Sequence, residues 1–295
     1  MSGAGDAAAR RWLVLGASGL LGGEVVAELA GRHVTTATSS EVDVRDAATV
    51  AAAVADHDVV VNCAGYTAVD DAESDEETAF AVNAEGAANV ARACAASGVR
   101  LVHVSTGYVF AGEATMAYRE NAGTRPRTAY GRSKEAGERA VLGLLGGTAY
   151  VVRTAWLYGE RGSCFSRTML RMERSRPTIN VVDDQWGQPT WNRDVATRIR
   201  GLVESGAPPG IYHATAAGET TWYGFARALF EEIGADPGRI SPTTSAAFPR
   251  PAARPAYTVL AHGNWERTRL PSPTGWREML AAAATHGVFA AAEDG

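Results

Sequence analysis

The stretch that most constrains this chain runs from Arg11 to Gly22: a short apolar, β-prone segment (Arg11 to Leu15) passes directly into three glycines, Gly16, Gly19 and Gly22. Apolar residues at helical spacing follow from Leu20 to Ala30. Glycines so placed let the chain turn tightly from strand to helix. With no side chains in the way, backbone amides at the helix start can approach a diphosphate. A glycine loop by itself is a weak signal, because any tight strand-to-helix turn favours glycine. Its position immediately after a first strand turns it into a dinucleotide signal, with Gly16, Ser18, Gly19, Leu20 and Leu21 facing the cofactor.

The pattern then repeats. A second strand ends near Thr38-Ser39-Ser40, and Val59-Val60-Val61, Leu101 to Val104 and Tyr150 to Val152 are further apolar, β-branched runs separated by alanine-rich helical segments. This alternation predicts an α/β fold, a doubly wound parallel sheet of the NAD(P)-binding Rossmann type, over residues 1–160. Beyond Gly159 prolines accumulate and the pattern loosens, so residues 161–295 are expected to form mainly a smaller substrate-binding lobe. A strand and helix near 178–205 are expected to return to the sheet. The alanine-rich tail beyond Ala281 reads as a helix that frays by Gly295.

Composition excludes several classes. With 28 basic and 33 acidic residues, a formal charge of -5 and no Lys/Arg block, nucleic acid is not an expected partner. Cys63, Cys94 and Cys164 are odd in number and have no partner His spacing, which argues against a disulfide framework or zinc site and fits a reducing cytoplasm. Arg10-Arg11 before an apolar run imitates a secretion signal, but the glycines and the following Glu24 and Glu28 do not suit one. No run is long enough to cross a bilayer, so no membrane partner is expected.

The segment Tyr130-Gly131-Arg132-Ser133-Lys134 places a phenol and an ammonium one helical turn apart. A free phenol titrates near pH 10 and becomes a working acid or base only beside positive charge. Lys134 and an oxidised nicotinamide are expected to supply that charge and make Tyr130 unusually acidic. Ser105 and Thr106 close the run ahead of it, at the sheet edge where ligands bind in open α/β folds, and a hydroxyl there can hold a carbonyl oxygen. His103 reads as a packed core residue, and Asn83 as an amide that fixes site backbone. At the end of the second strand the usual ribose-binding carboxylate is replaced by Thr38, Ser39 and Ser40, which favours NADPH while leaving NADH possible. Asp43, followed by Val44, either flanks the adenine or caps the helix starting near Asp46.

The segments GASGLLG, VVNCAGYTAVDDAE, STGYVFAG, YGRSKEAGE, VVRTAWLYG, VVDDQWGQPT, GIYHATAAGETTWYGFA and RPAYTVL together resemble the dTDP-4-dehydrorhamnose reductase family of extended short-chain dehydrogenase/reductases. The likeness covers nearly the whole chain. It implies that Thr106, Tyr130 and Lys134 are catalytic, and that Cys63, Ala64, Gly65, Tyr66 and Thr67 line the cofactor. It also implies that Gly107, Tyr108 and Trp156 meet a dTDP-linked 4-keto-6-deoxy sugar; from the residues alone Trp156 reads equally as lobe-interface core, and Arg254 or another arginine is expected to meet the phosphates. Gly107, Ala155 and Cys164 depart from the family pattern, which points to an altered sugar, expected to be of the L series and of natural-product origin. The alternative within the family is formation of dTDP-L-rhamnose for cell-surface polysaccharide. Some members hold magnesium at a dimer contact; Glu24 matches one ligand but Ala282 stands where an acid is expected, so no metal is predicted and a monomer is favoured over a homodimer. A rival of another class is a non-catalytic NADP-binding regulatory subunit, for which degenerate catalytic positions would be expected.

Overall fold

A computed structural model describes residues 10–290. Its centre is a parallel sheet of six strands in the order β10-β5-β4-β3-β1-β2, built from β1 (Arg11–Leu15), β2 (His33–Ala37), β3 (Val59–Asn62), β4 (Arg100–Thr106), β5 (Tyr150–Thr154) and β10 (Gly210–His213). Alternate residues of each strand point to opposite faces. Trp12, Val14, Val59, Val61, Val102, Tyr150 and Val152 accordingly share one buried core, and Leu13, Leu15, Val60, Leu101 and Val151 another. A strand buried on both sides reads as a continuous apolar run, which is why these segments lack alternation.

The first core is covered by α1 (Leu20–Glu28) and α7 (Asn192–Glu204). The second is covered by α2 (Ala47–Val54), α4 (Ala87–Ser97) and α5 (Ala129–Leu145). Between α2 and α4 lie α3 (Glu76–Phe80) and a wide π-helical turn over Ala81–Gly86. This is the doubly wound Rossmann arrangement. Strand order reverses between β1 and β3, and their carboxyl ends form the crevice in which such sheets bind ligands.

Two glycines make that crevice possible. Gly16 has a left-handed backbone (φ 73°), and a Cβ there would lie 2.7 Å from the Ala64 nitrogen. A Cβ on Gly22 would lie 2.1 Å from the Gly16 carbonyl oxygen, so α1 could not pack against its own loop.

The remainder forms a lobe around a third core containing Tyr158, Met169, Ile179, Phe225, Leu229, Phe230 and Leu280. Its elements are β6 (Leu157–Tyr158), α6 (Phe165–Ser175), β7 (Ile179–Val182), β8 (Trp186–Gly187), β9 (Thr190–Trp191), β11 (Thr220–Thr221), α8 (Trp222–Glu232), β12 (Ile240–Thr243) and α9 (Trp276–Thr285). Of the segment 178–205 expected to return to the sheet, the strand does not: β7 pairs with β12 inside the lobe. The helix does, since α7 packs on the first core beside α1, joined by Arg200 to Glu28 and Arg32 to Glu204 at 2.7 Å each. The strand that joins the sheet is β10, beside β5. The helix expected beyond Ala281 belongs to α9 and ends at Thr285; residues 291–295 lie outside the described residues.

One buried ion pair ties α5 to the sheet. Arg153 on β5 donates to both Glu138 carboxylate oxygens, at 2.8 and 2.6 Å, and the same carboxylate accepts the Ser105 hydroxyl. Both charged side chains are almost wholly buried. Because breaking a buried pair strands the remaining charge, Glu138→Ala should lower folding stability by about 3–5 kcal/mol. A urea titration showing a loss below about 1 kcal/mol would contradict this assignment.

Candidate active site

Helix α5 starts where the Thr128 hydroxyl accepts the Gly131 amide at 3.0 Å, and its first turn carries Tyr130 and Lys134 on the face turned to the sheet. Lys134 Nζ donates to the Val104 carbonyl at 2.7 Å, anchoring the ammonium beneath the end of β4. Ser133 donates to the Tyr130 carbonyl at 2.8 Å and accepts from Asn83 Nδ2 at 2.9 Å. Asn83 also brackets Tyr66, accepting its amide at 2.9 Å and donating to its carbonyl at 3.0 Å. One amide in the π-helical turn thus pins the loop after β3 to the catalytic helix, the backbone-fixing role expected for Asn83. His103 is a buried core residue as expected, its Nδ1 paired with Asn62 at 3.3 Å.

The two hydroxyls at the end of β4 have different environments. Ser105 is committed to Glu138, whereas the Thr106 oxygen accepts the Tyr108 amide at 3.2 Å and retains its proton for donation. That singles out Thr106 as the hydroxyl free to hold a ligand oxygen.

The electrostatics correct one expectation. Burial pushes the Tyr130 phenol up to about 12, with the neighbouring Thr106 side chain pulling the other way. Lys134, also buried, is pushed down to about 8. Desolvation therefore outweighs the attraction expected between them, and the phenol is a firmly protonated group rather than an unusually acidic one.

Tyr130, Lys134, Thr106, Ser105, Thr67 and the glycine-loop residues Gly19, Leu20 and Leu21 line one cavity of about 410 Å³. A second, of about 470 Å³, is lined by Gly16, Ser18, Ser39, Asp43, Val44 and Tyr66. Gly19, Cys63, Ala64 and Gly65 belong to both, so the two form one groove across the strand-order reversal. Ser40 is the exception among the expected cofactor contacts: it lines neither cavity, and its hydroxyl is bonded to Thr38 at 2.9 Å. Asp46 caps α2, which leaves Asp43 free of that task; Asp43 instead forms a two-oxygen pair with Arg45. Arg45 lines the groove and was not singled out from sequence, where a lone arginine after Asp-Val carries no signal.

A third cleft, of about 490 Å³, lies in the lobe and includes Phe165, Gln185, Trp222 and Arg254. Arg254 is bound to Asp70 at 2.7 Å, bringing the Rossmann loop and the lobe together. Trp156 lines the first cavity and stacks on Trp222, with ring centres 3.5 Å apart and planes within 8°. Tyr108 meets the Tyr130 ring edge-on at 5.6 Å.

Two of the positions that depart from the family pattern, Gly107 and Cys164, line none of these cavities, and Tyr108 lines a separate one together with Arg254. A side chain on Gly107 would point at Leu260 and the Thr258 carbonyl, each 3.7 Å away, because the short turn after β4 rotates it under the lobe. Cys164 precedes α6, with its sulfur 3.3 Å from the Ser166 hydroxyl. Of the three family departures only Ala155 lines the reaction cavity.

Lys134 also sets a stability signature. Its folded value, about 8, lies below the ordinary 10.5, so between those values the unfolded chain holds more of this proton and stability from this group rises with pH. Lys134→Met should therefore gain most over the parent below pH 8 and lose that advantage towards pH 10.5. Paired denaturation curves whose difference is flat across the window would refute the charged, desolvated state.

Comparison with known proteins agrees with this architecture. A family model described as the RmlD substrate binding domain matches residues 10–288. A Streptomyces griseus protein named dTDP-4-dehydrorhamnose reductase is 50% identical over 278 residues, covering 92% of this chain and 91% of its own. A Streptomyces niveus protein named dTDP-4-keto-6-deoxy-D-glucose reductase is 47% identical over 277 residues, covering 92% and 96%. The crystal structure of a Bacillus anthracis dTDP-4-dehydrorhamnose reductase in complex with NADP is 32% identical and superposes with a TM-score of 0.90 over 94% of this chain and 99% of that one. Among the described residues no helix is long and apolar enough to cross a membrane. With the model spanning almost the entire chain and relatives near half identity over nine-tenths of it, the chain belongs to the dTDP-4-dehydrorhamnose reductase family of extended short-chain dehydrogenase/reductases.

Proposed function

We propose that this enzyme uses NADPH to reduce the C4 ketone of a dTDP-linked 4-keto-6-deoxy-L-hexose. The observation that carries the reading is the convergence of Thr106, Tyr130 and Lys134 on a cavity continuous with the glycine-loop groove. The groove fits a dinucleotide because its floor is Gly16, Gly19 and Gly65, and a Cβ at Gly16 would collide with the Ala64 backbone. Gly19 stands at the start of α1 with no side-chain cap on the first amides, as a diphosphate site requires. NADPH bound there supplies hydride to the carbonyl carbon.

The chain's own residues supply the rest. Thr106 donates to the C4 oxygen and orients it. Tyr130 gives that oxygen its proton as the carbon accepts hydride, and Lys134 beneath it bonds the nicotinamide ribose and offsets the negative charge left on the phenol. A reductase needs its acid protonated at rest, and burial of Tyr130 provides that state. Arg254 and the lobe cleft would receive the diphosphate and nucleotide, with Asp70 presenting the guanidinium. The three free cysteines fit a cytoplasmic setting.

The preference for a sugar altered at C2 or C3, of the kind used in natural products, now rests on Ala155 alone. The S. griseus relative's name favours the second reading, dTDP-L-rhamnose formation. Equal or better turnover of dTDP-4-keto-L-rhamnose than of 2-deoxy or amino analogues would decide for rhamnose. The intact Thr106, Tyr130 and Lys134 argue against a non-catalytic subunit. Tyr130→Phe should keep NADPH binding while turnover falls about 10²- to 10⁴-fold; activity within tenfold of the parent would end the proposed mechanism.

The pH dependence follows from Lys134. Its charge is held below about pH 8 and lost above it, so kcat/KM for NADPH should fall as pH rises through that value, while protonation of Tyr130 contributes no limb in the range. A profile flat to pH 10 would contradict the assignment.

A further inference from the structure

We propose that Trp222 is a positioning residue for the reacting sugar. Stacked on Trp156 between the reaction cavity and the lobe cleft, it sets how deeply the hexose enters and hence which C2 and C3 substituents are accepted. The inference rests on the ketosugar-reductase reading above.

The first observation is backbone strain. Trp156 has φ 49°, and among the described residues it is the non-glycine residue in the left-handed region. For a bulky side chain this conformation is unfavourable and persists only where the surroundings over-determine it. Those surroundings are Trp222 and Gly187. Trp222 covers one face at 3.5 Å, and Gly187 of β8 packs so closely that a Cβ there would lie 2.4 Å from the Trp156 ring.

The second observation is that Trp222 is itself held. It is the first residue of α8, whose start is capped by the Thr221 hydroxyl accepting the Gly224 amide at 3.1 Å. Its Nε1 donates to Gln185 Oε1 at 3.1 Å, and its ring packs on Phe165 with centres 4.5 Å apart. Gln185 in turn donates to the Ser245 hydroxyl at 2.8 Å, and Ser245 and Arg254 line the same cleft.

The third is placement. Trp156 shares its cavity with Tyr130 and Thr106, whereas Trp222 shares the cleft with Arg254. A sugar whose C4 oxygen meets Tyr130 and whose nucleotide extends toward the lobe cleft would lie beside the paired indoles, which join the two linings. An aromatic wall of fixed depth selects by shape, and releasing it would admit the ring in off-line poses.

The test uses the full chain with NADPH and two substrates, dTDP-4-keto-L-rhamnose and its 2-deoxy counterpart. Trp222→Ala should lower kcat/KM on the better substrate on the order of tenfold or more. It should also change the ratio between the two substrates by about threefold or more, with the NADPH dissociation constant unmoved. Trp222→Phe should restore most of both. Gly187→Ala, which presses directly on the Trp156 ring, should also shift the ratio. The proposal is overturned if Trp222→Ala leaves KM and the substrate ratio at parental values. It is equally overturned if both substrates lose activity in proportion to lost thermal stability, with no recovery in Trp222→Phe. A parent that turns over neither ketosugar overturns the reductase reading and this inference together, and that result is known before any variant is made.

Discussion

Burial of the sheet on both faces is the constraint from which the site follows. Parallel strands such as β1, β3, β4 and β5 can be satisfied only if helices cover each side, and two separate cores show that they do. Once the strands run the same way, all their carboxyl ends meet at one edge. Gly16, Cys63, Thr106 and Thr154 therefore arrive together without any local instruction to do so. Helix α5, packed over the second core, brings Tyr130 and Lys134 to that same edge.

Fine positioning is left to polar contacts, each replacing water that burial has removed. Asn83 satisfies both backbone groups of Tyr66 and the hydroxyl of Ser133, and Glu138 satisfies Arg153 and Ser105. Such networks stabilise only when complete, since a single missing partner leaves a group desolvated and unpaired. The same desolvation decides the protonation of Tyr130 and Lys134: the phenol keeps its proton and the ammonium holds its own less tightly. Both states suit an enzyme that reduces a carbonyl.

Local patterns in the chain were readable where a residue type has few structural alternatives. Gly16 and Gly22, the apolar runs of β1, β3, β4 and β5, and the Tyr130/Lys134 spacing all report backbone or periodic requirements, and each maps to its element. Strand β10 was missed because Gly210–His213 is short, follows Pro208-Pro209, and looks like any apolar turn until β5 lies beside it. Which of Thr38, Ser39 and Ser40 faces the groove was not readable, because three consecutive hydroxyls look alike in sequence and the bend after β2 decides it: Ser39 lines the groove and Ser40 bonds Thr38. The direction of Gly107 is likewise set by the short turn after β4.

The amino-acid order by itself determined the wound sheet, the glycine-lined crevice and the Tyr130/Lys134 pairing on one helix face, because these depend on periodicity, on missing side chains and on spacing within one helix. The tertiary structure decided what depends on distant partners: that Thr106 rather than Ser105 is free, that Asp43 faces Arg45, that Arg254 meets Asp70, and that Trp156 rests on Trp222. Those pairings join residues up to 184 positions apart, and Coulomb, hydrogen-bond and stacking energies act over a few ångströms of space whatever the separation along the chain.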